Sequence, residues 1–583
     1  MAGLFAPTAV GATPGLRPNV WDLVALPLIL GALVLLAYGA AQMATPYNVG
    51  DPLPLTLDPL HLPYYLLRTA LRMGAGLVLS LLFTLVYATI AAKSANAGRI
   101  LIPALDILQS IPILGFLSIT VTGFISLFPG SLLGMECAAI FAIFTSQAWN
   151  MTFSLYQSLR TVPADLTETA AMLHLSPWRR FWRLEMPFAM PSLVWNMMVS
   201  VSGGWFFVVA SEAISVSGQK ILLPGVGSYI ALAIADRNLP AIGWAIATML
   251  VAIIIYDQVM FRPLVAWSEK FKFEETAGEE APESWLLTLL QRTRLLRQMV
   301  EIVRDLVEAV MIRIRSRGRR IVPTLFRVTP RVRWPGWLGS WWWSTALALG
   351  AAAAAVSIGR SVSDGVGWGE VVHVLLLGLA TATRVVVLIL LASLVWVPVG
   401  VWVGLRPRLA QRLQWIAQFL AAFPANLMFP IVVAMIVRFD LSVDIWVSPL
   451  MILGTQWYLL FNVIAGAAAL PSDLRAAAGN LGLRGWLRWK RLYLPGIFPA
   501  YITGAIAASG GSWNASIVAE LVTWGNTTLT ATGLGAYIAH WTHRGDFPRI
   551  VLGIGVMCLF VMGLNRFLWR RLYVLAEQRL RLD

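Results

Sequence analysis

Twelve mostly apolar stretches, each long enough to form a membrane-spanning helix, take up most of this 583-residue chain. A helix needs about 20 apolar residues to cross the hydrocarbon core of a bilayer. Helices are expected because backbone polar groups in lipid must find their hydrogen-bond partners within the protein. The predicted spans are 20–41, 69–92, 101–127, 132–155, 188–216, 239–261, 341–358, 371–403, 413–437, 441–469, 496–522 and 547–569.

The composition agrees with a polytopic membrane protein. Hydrophobic residues make up 58% of the chain and charged residues 13%, whereas soluble domains are about 25% charged. A disordered chain, a fibrous protein and an ordinary soluble enzyme are thereby excluded. Cys137 and Cys558 both lie in apolar runs and fit neither a disulfide framework nor a metal motif.

The net charge of +15 is distributed unevenly between the two sides of the predicted membrane. With the N-terminus in the cytoplasm, 35 of the 44 Lys and Arg residues fall in inner segments. Cytoplasmic segments of membrane proteins carry such an excess, and it attracts anionic lipid. We therefore expect both termini in the cytoplasm, contact with membrane lipid, and no nucleic-acid partner.

The sequence contains two copies of one unit. A shift of 308 residues aligns 147–273 with the second half without a gap, and upstream the shift becomes 312. Trp205 falls on Trp513, and Glu212 falls on Glu520. Because each unit has six predicted spans, both keep the same orientation and form a parallel repeat with a path between them. This organisation predicts a transporter or a channel.

A charged linker, 268–335, separates the first unit (1–267) from the second (336–583). Over 284–315, apolar residues recur at three- and four-residue steps, and Arg and Glu fill the other face. This segment carries too many charges to span a membrane. We expect an amphipathic helix on the inner membrane surface. A cytoplasmic helix packed on a partner subunit is the alternative.

Two long inner loops, 158–187 and 469–495, share one pattern. Each has a short helix with small residues, a turn, and a basic-aromatic helix that ends before Pro187 or Pro495. Small Ala and Gly side chains allow another surface to approach closely. The pattern predicts a plug for a groove on a soluble partner.

These loops resemble the Glu-Ala-Ala loop of the permeases of binding-protein-dependent ATP-binding-cassette (ABC) importers, which forms a coupling helix that docks on the ATPase subunit. Glu168 matches the acidic position of that loop, and His174 stands where the family has glycine. In the second copy Gly482 keeps the glycine, whereas Ala476 replaces the glutamate. The coupling residues that the resemblance implies are Glu168, Ala170, Ala171, Leu173, His174, Ala476, Ala477, Ala478, Leu481 and Gly482.

The resemblance covers nearly all of both units. It implies an all-α membrane protein of about twelve transmembrane helices, built as two parallel six-helix repeats of the type I ABC importer permease fold. Residues 68–72 and 106–112 are similar to the nitrate, sulfonate, taurine and bicarbonate branch. The implied activity is therefore ATP-driven import of a small anion across a bacterial inner membrane by alternating access.

The implied partners are two ATPase subunits and a periplasmic or lipid-anchored substrate-binding protein. The sequence has no Gly-x4-Gly-Lys-[Ser/Thr] phosphate loop. ATP and Mg²⁺ are therefore expected on the separate ATPase subunit. The chain itself is expected to bind no cofactor and to catalyse no reaction.

Polar and aromatic residues within the spans are candidates for the translocation path. Arg72 and Arg384 offer guanidinium donors to an anion, and snorkelling to headgroups is the alternative that we favour. Intramembrane acids tend to mark function, but acids suit a gate or a helix tether better than an anion ligand. The candidate path residues are Arg72, Arg384, Trp205, Glu212, Trp513, Asn514 and Glu520.

Other classes of protein remain as alternatives. An importer of this family could carry an osmolyte or an amino acid. A twelve-span secondary transporter is also built from parallel repeats, but it needs no ATPase and no plug-like loops. A membrane enzyme needs a polar catalytic cluster, which the sequence does not offer. His540 and His543 have helical spacing but no third ligand nearby, so we expect no metal site.

Overall fold

The computed structural model describes residues 19–48, 53–216, 219–271, 284–293 and 366–579, except nine positions between 407 and 418. The chain divides into a smaller compact unit, Met1–Tyr38 with Ile255–Ser357, and a larger one, Gly39–Ile254 with Ile358–Asp583. Most of both repeats belongs to the larger unit. The predicted seventh span, 341–358, lies outside the described residues.

Helices form nearly all of the regular structure in the part of the first half that the structure describes. They are α1 (Val20–Gln42), α2 (Leu62–Lys93), α3 (Ala95–Ser110), α4 (Ile113–Leu127), α5 (Leu133–Arg160), α6 (Ala164–Met172), α7 (Pro177–Arg180), α8 (Met186–Glu212), α9 (Val226–Ala235), α10 (Leu239–Tyr256), α11 (Arg262–Ser268) and α12 (Trp285–Arg292).

The second half repeats much of this order. Its helices are α13 (Trp368–Gly404), α14 (Phe429–Arg438), α15 (Val443–Trp446), α16 (Ser448–Leu453), α17 (Gln456–Ala468), α18 (Ser472–Asn480), α19 (Gly485–Arg488), α20 (Leu494–Ala519), α21 (Leu534–Arg544), α22 (Phe547–Leu564) and α23 (Arg570–Arg579). The all-α membrane fold is thus confirmed.

By length and composition, seven helical segments of the described residues can cross a membrane. The number is eight if the bent pair Val443–Leu453 and Gln456–Ala468, which meet at 45°, counts as one span. These segments make the chain a multi-pass membrane protein.

The third span of each repeat is broken at a proline, where the sequence predicted one continuous helix. Helix α3 ends at Ser110 and α4 begins at Ile113, on either side of Pro112. In the second repeat Pro424 precedes a 3₁₀ turn, Ala425–Leu427, that leads to α14. Proline lacks an N–H donor and disfavours a helical residue before it, which explains both breaks.

The fifth span of each repeat ends earlier than predicted, and a β-hairpin follows it. After α8, strands β1 (Ala213–Val216) and β2 (Gln219–Leu222) pair antiparallel. After α20, strands β3 (Leu521–Trp524) and β4 (Thr527–Thr530) pair in the same way. The apolar runs continue from the helix into the first strand, so hydropathy alone does not separate the two elements.

Three helices form the core of each repeat. In the first repeat α5 packs against both α2 and α8, and in the second α20 and α13 pack against α17. Glycines allow close approach, since a Cβ at Gly76 would collide with Ile143 and one at Gly400 with Val463. Small residues at helix contacts are usual within membranes.

The two repeats meet through their broken third and fifth spans. The Ile113 N–H at the start of α4 donates to Asn514 Oδ1 of α20 at 2.7 Å. Reciprocally, Asn426 Nδ2 donates to the Phe206 carbonyl of α8 at 3.3 Å. The broken segment of each repeat therefore lies against the fifth span of the other repeat.

In the smaller unit, α12 is the described part of the linker helix predicted over 284–315. Ser284 caps its N-terminus, and Thr293 is extended, so the helix ends after eight residues. The Arg292 guanidinium lies 5.2 Å from the Trp21 ring. The rest of the predicted helix lies outside the described residues.

Candidate functional site

Two groups of candidate residues lie at opposite ends of the fifth spans. Helices α8 and α20 begin at the last two residues of the two predicted coupling loops and end just before the two hairpins. A helix of 26 or 27 residues is roughly 40 Å long. We call these two ends of the larger unit the loop end and the hairpin end.

The loop end carries two helices of equal length, α6 and α18, with nine residues each. Each follows a proline and is closed by the same hydrogen bonds at its C-terminus. The Leu175 N–H donates to the Ala170 carbonyl at 3.1 Å, and the Leu483 N–H donates to the Ala478 carbonyl at 2.9 Å. This five-residue link is the Schellman motif, which requires a left-handed residue after the helix.

His174 and Gly482 are these left-handed residues, with φ of 48° and 68°. Glycine adopts this conformation without steric cost, whereas a residue with a Cβ pays about 1–2 kcal/mol. The left-handed backbone conformation of the turn therefore explains why a glycine is favoured at this position. The first loop adopts the same turn with a histidine there.

The predicted coupling residues do not share one environment. Ala170 and Ala478 are buried within the chain, so their small size serves the packing of the loop itself. Leu173 is 68% exposed and Leu481 is 77% exposed, at equivalent positions just after the helices. The other exposed members of the predicted set are Glu168, Ala171, His174, Ala476, Ala477 and Gly482.

At the hairpin end of the first repeat, four charged side chains form a buried network. Arg72 contacts Glu136 Oε2 through Nε at 2.5 Å and Glu212 Oε1 through Nη1 at 2.6 Å. Arg68 Nη2 donates to Glu136 Oε1 at 2.5 Å. All four are buried, and two positive and two negative charges balance, as buried charges require.

Glu212 also connects the fifth span to the start of α9. Its Oε2 accepts from the Gly227 N–H at 2.6 Å, and its Oε1 accepts from Thr69 Oγ1 at 2.7 Å. A Cβ at Gly225 would collide with the Glu212 carboxylate. The Gly-x-Gly sequence therefore lets the carboxylate reach the free N–H groups of a helix N-terminus, which favours negative charge.

The second repeat contains a looser copy of this network. Glu520 accepts from Thr381 Oγ1 at 2.8 Å and from the Gly535 N–H at 2.7 Å. Arg384 contacts Glu520 at 3.2 Å and Asp444 at 2.7 Å. Arg384 is 16% exposed and Asp444 is 53% exposed.

The two networks differ because the second lacks one cation. Ala380 stands where the first repeat has Arg68, so one arginine faces two carboxylates. Asp444 is also shorter than Glu136. Exposure of Asp444 to solvent replaces the missing ion pair, and the second hairpin end is therefore more open than the first.

Sequence reasoning selected Arg72, Arg384, Glu212 and Glu520 but missed the residues that connect them. The two threonines, Thr69 and Thr381, were not selected, and Arg68, Glu136 and Asp444 received no role in the path. The signal was present as Thr-x-x-Arg at 69–72 and 381–384, in register in both repeats.

The remaining candidate path residues are either buried or located at the contact between the two repeats. Trp205 and Trp513 are buried, and Trp513 stacks with Phe560 at 6.4 Å. Asn514 lies at the contact between the repeats, through Ile113. Trp205 and Trp513 are therefore buried side chains, whereas Asn514 lies where the repeats meet.

His540 and His543 both lie on α21. Burial, together with Arg544, lowers the pKa of His540. Among the residues that the structure describes, no group of three or more His, Cys, Asp or Glu side chains could hold a metal ion.

A duplicated bundle of membrane-spanning helices, with one protruding loop per repeat at the same end, defines a polytopic permease. The sequence matches the family described as binding-protein-dependent transport system inner membrane component, over residues 81–260 and 396–582. The chain belongs to this family, which occurs in it twice. It is thus the fused, duplicated form of a non-catalytic permease subunit.

The similar curated proteins are permeases as well. The nitrate import permease protein NrtB of Leptolyngbya laminosa is 22% identical over 215 residues, which cover 35% of this chain and 74% of that protein. The bicarbonate transport system permease protein CmpB of Synechococcus elongatus is 27% identical over 200 residues, which cover 34% and 69%. The osmoprotectant import permease protein OsmY of Salmonella typhimurium is 27% identical over 107 residues, which cover 18% and 42%.

Proposed function

We propose that this chain is the membrane-spanning subunit of an ATP-driven importer that carries a small anion across the inner membrane. One separate ATPase subunit docks under each coupling loop. A periplasmic or lipid-anchored binding protein delivers the anion at the hairpin end. The two loops at one end of one duplicated bundle carry this proposal, because each offers one contact to one half of an ATPase pair.

The exposed leucines supply the binding energy in this account. Leu173 and Leu481 stand beside the left-handed turns, and neither is covered within the described chain. Burial of a leucine side chain contributes about 1.5–3 kcal/mol. Two such contacts, one per loop, suit a partner that supplies two equal grooves.

The substrate class follows from the relatives that are named for nitrate and bicarbonate import. Arg72 is an unsuitable ligand for such an anion, because Glu136 and Glu212 already accept from it. We infer that Arg72, Arg384, Glu212 and Glu520 hold the hairpins in place. The anion then passes between the repeats, near Asn514 and Ile113.

Alternating access connects the two ends. The hairpin of the second repeat lies on the first repeat, since the Gly525 N–H donates to the Ile234 carbonyl at 3.0 Å. In the proposed cycle, ATP closes the ATPase pair and draws the coupling loops together. The hairpin ends then separate and admit the anion from the binding protein.

Reconstitution of the chain with its ATPase and binding protein in proteoliposomes tests this proposal. Uptake of labelled nitrate or bicarbonate should require ATP on the side of the membrane that carries the loop end and the ATPase. Leu173→Asp with Leu481→Asp should abolish both ATPase co-purification and uptake. Asn526→Asp, which adds a negative charge at the exposed tip of the second hairpin, is the control and should keep the ATPase bound. Retention of the ATPase by the double leucine variant would refute the coupling role of the loops.

The osmoprotectant relative supports a second substrate class. Uptake of glycine betaine in the same vesicles separates the two classes. Transport of betaine without transport of either anion would replace the anion proposal and leave the coupling proposal unchanged.

A further inference from the structure

A cavity of about 340 Å³ opens at the loop end of the second repeat. It lies between the end of α13 and the π-helical turn Trp489–Tyr493 that leads into α20. Its lining is mostly aliphatic and aromatic, with one cation at the rim. The lining residues are Val401, Trp402, Leu405, Arg406, Trp489 and Tyr493.

Two arginines lie on the aromatic rings of this cavity. The Arg406 guanidinium is 4.5 Å from the Trp402 ring, and the Arg488 guanidinium is 5.4 Å from the Tyr493 ring. Neither arginine has a carboxylate partner among the described residues, and Arg488 Nε is buried without any acceptor. Arg406 Nη1 donates to the Trp402 carbonyl at 2.8 Å, and Arg488 Nη2 donates to the Arg475 carbonyl at 3.4 Å. A guanidinium group without a carboxylate partner suits the binding of a phosphate through its other N–H groups.

The equivalent place in the first repeat is occupied by an ion pair. Lys93 stands where the second repeat has Leu405, and Glu185 stands where it has Tyr493. Lys93 Nζ bonds to Glu185 Oε2, and Arg180 Nε lies 3.0 Å from Glu185 Oε1. The first repeat therefore provides an internal comparison, because it has an ion pair where the second repeat has the cavity.

The cavity continues into an apolar surface of α13. Leu394 is 74% exposed, and Val395, Val399 and Trp402 on the same helix are exposed as well. Exposed aliphatic residues on a membrane-spanning helix face lipid tails, and aromatic residues near its end lie at the headgroup level. An acyl chain along this surface would bring its headgroup to Arg406.

We propose that this cavity binds one anionic phospholipid of the inner leaflet, with its phosphate at Arg406 and Arg488. Only the assignment to the inner leaflet rests on the proposed function, which places the loop end in the cytoplasm. The first repeat has no such site, because Lys93 and Glu185 satisfy each other. A lipid is therefore bound beside the second coupling loop but not beside the first, and this difference makes the two ATPase contacts unequal.

Photo-crosslinking in nanodiscs tests this proposal on the full chain, with and without the ATPase. Phosphatidylglycerol or phosphatidylcholine with a diazirine in the acyl chain is added to a phosphatidylcholine bilayer, and labelled peptides are identified by mass spectrometry. Peptides that contain 401–406 and 489–493 should take up the phosphatidylglycerol label about 30-fold more than the phosphatidylcholine label, given an attraction of about 1 kcal/mol for each of two cations near the surface. Peptides with 89–94 and 181–185, from the first repeat, should show no preference.

Two double variants separate the contribution of the arginine charges to lipid binding from that of the cavity volume. Arg406→Gln with Arg488→Gln should reduce phosphatidylglycerol labelling to the phosphatidylcholine level. Leu405→Lys with Tyr493→Glu, which introduces the ion pair of the first repeat, should exclude both lipids.

Equal labelling by the two lipids, or labelling that the arginine changes leave intact, would overturn the proposal. Loss of the label in excess inorganic phosphate would identify a free-anion site instead, and loss on ATPase binding would identify an ATPase contact. ATPase co-purification is recorded separately, so failure of the coupling proposal does not affect this result.

Discussion

Arg72 and Arg384 occupy equivalent positions in the two repeats but face different surroundings. Arg72 is buried between Glu136 and Glu212, whereas Arg384 bridges the buried Glu520 and the exposed Asp444. The arginine–carboxylate contacts beside the first hairpin are therefore buried, whereas those beside the second hairpin are partly exposed to solvent.

Replacement of the two arginines by methionine should have unequal effects on stability. Arg72→Met leaves two carboxylates buried without that cation and should cost about 3–5 kcal/mol. Arg384→Met should cost clearly less, because Asp444 is already solvated. Thermal unfolding in detergent compares the two variants. Equal shifts in the unfolding temperature would contradict the assigned difference between the networks.

The glycines before α9 and α21 should not tolerate a methyl group. A Cβ at Gly225 or Gly533 would collide with the carboxylate of Glu212 or Glu520, and overpacking of this kind costs about 1–3 kcal/mol. Gly225→Ala and Gly533→Ala should therefore speed hydrogen exchange at the hairpins. Gly243→Ala, where the structure leaves open space, is the control and should leave exchange there unchanged. Slow exchange in all three variants would argue against the tether.

The two coupling turns should respond in opposite directions to exchange of their left-handed residues. His174→Gly removes the steric cost of a Cβ, and Gly482→His introduces it at a site with no neighbour within 4 Å. With a cost of about 1 kcal/mol, exchange of the Leu175 amide should slow about fivefold and that of the Leu483 amide should quicken about fivefold. If both changes had the same sign, the turn geometry would not be the cause.

The contact between the repeats should depend more on Asn514 than on Asn426. Asn514→Leu leaves the Ile113 N–H without its 2.7 Å acceptor, and an unsatisfied buried donor costs about 1–3 kcal/mol. The Asn426 bond to Phe206 is longer, at 3.3 Å, and Asn426 Oδ1 has no partner in the described residues. Thermal unfolding should therefore show a smaller loss for Asn426→Leu. The reverse order would count against the interface.

Much of the architecture could be predicted because it depends on patterns that can be seen in the sequence alone. Apolar length predicted the membrane helices, the 308-residue shift predicted the repeats, and small residues with closing prolines predicted the loops. The hairpins and the breaks at Pro112 and Pro424 were missed, because a hydropathy average runs across them without change.

The buried network could not be predicted, because periodicity shows which residues share a helix face but not which faces meet. Arg72 lies 64 residues from Glu136 and 140 residues from Glu212. Snorkelling was the favoured interpretation of Arg72 and Arg384, whereas the structure pairs both with carboxylates. Only the tertiary fold supplies these partners.

Cross-linking of the hairpin end under control of the ATPase tests the central claim most directly. A Cβ at Gly525 would stand within the Arg237 side chain, so Arg237→Cys and Gly525→Cys place two thiols within disulfide reach, once Cys137 and Cys558 are replaced by alanine. In the complete complex the disulfide should form readily without nucleotide, and much more slowly when ATP and vanadate trap the ATPase closed. Leu173→Asp with Leu481→Asp should remove this nucleotide effect. Equal cross-linking with and without trapped nucleotide, in a complex that hydrolyses ATP, would contradict the account.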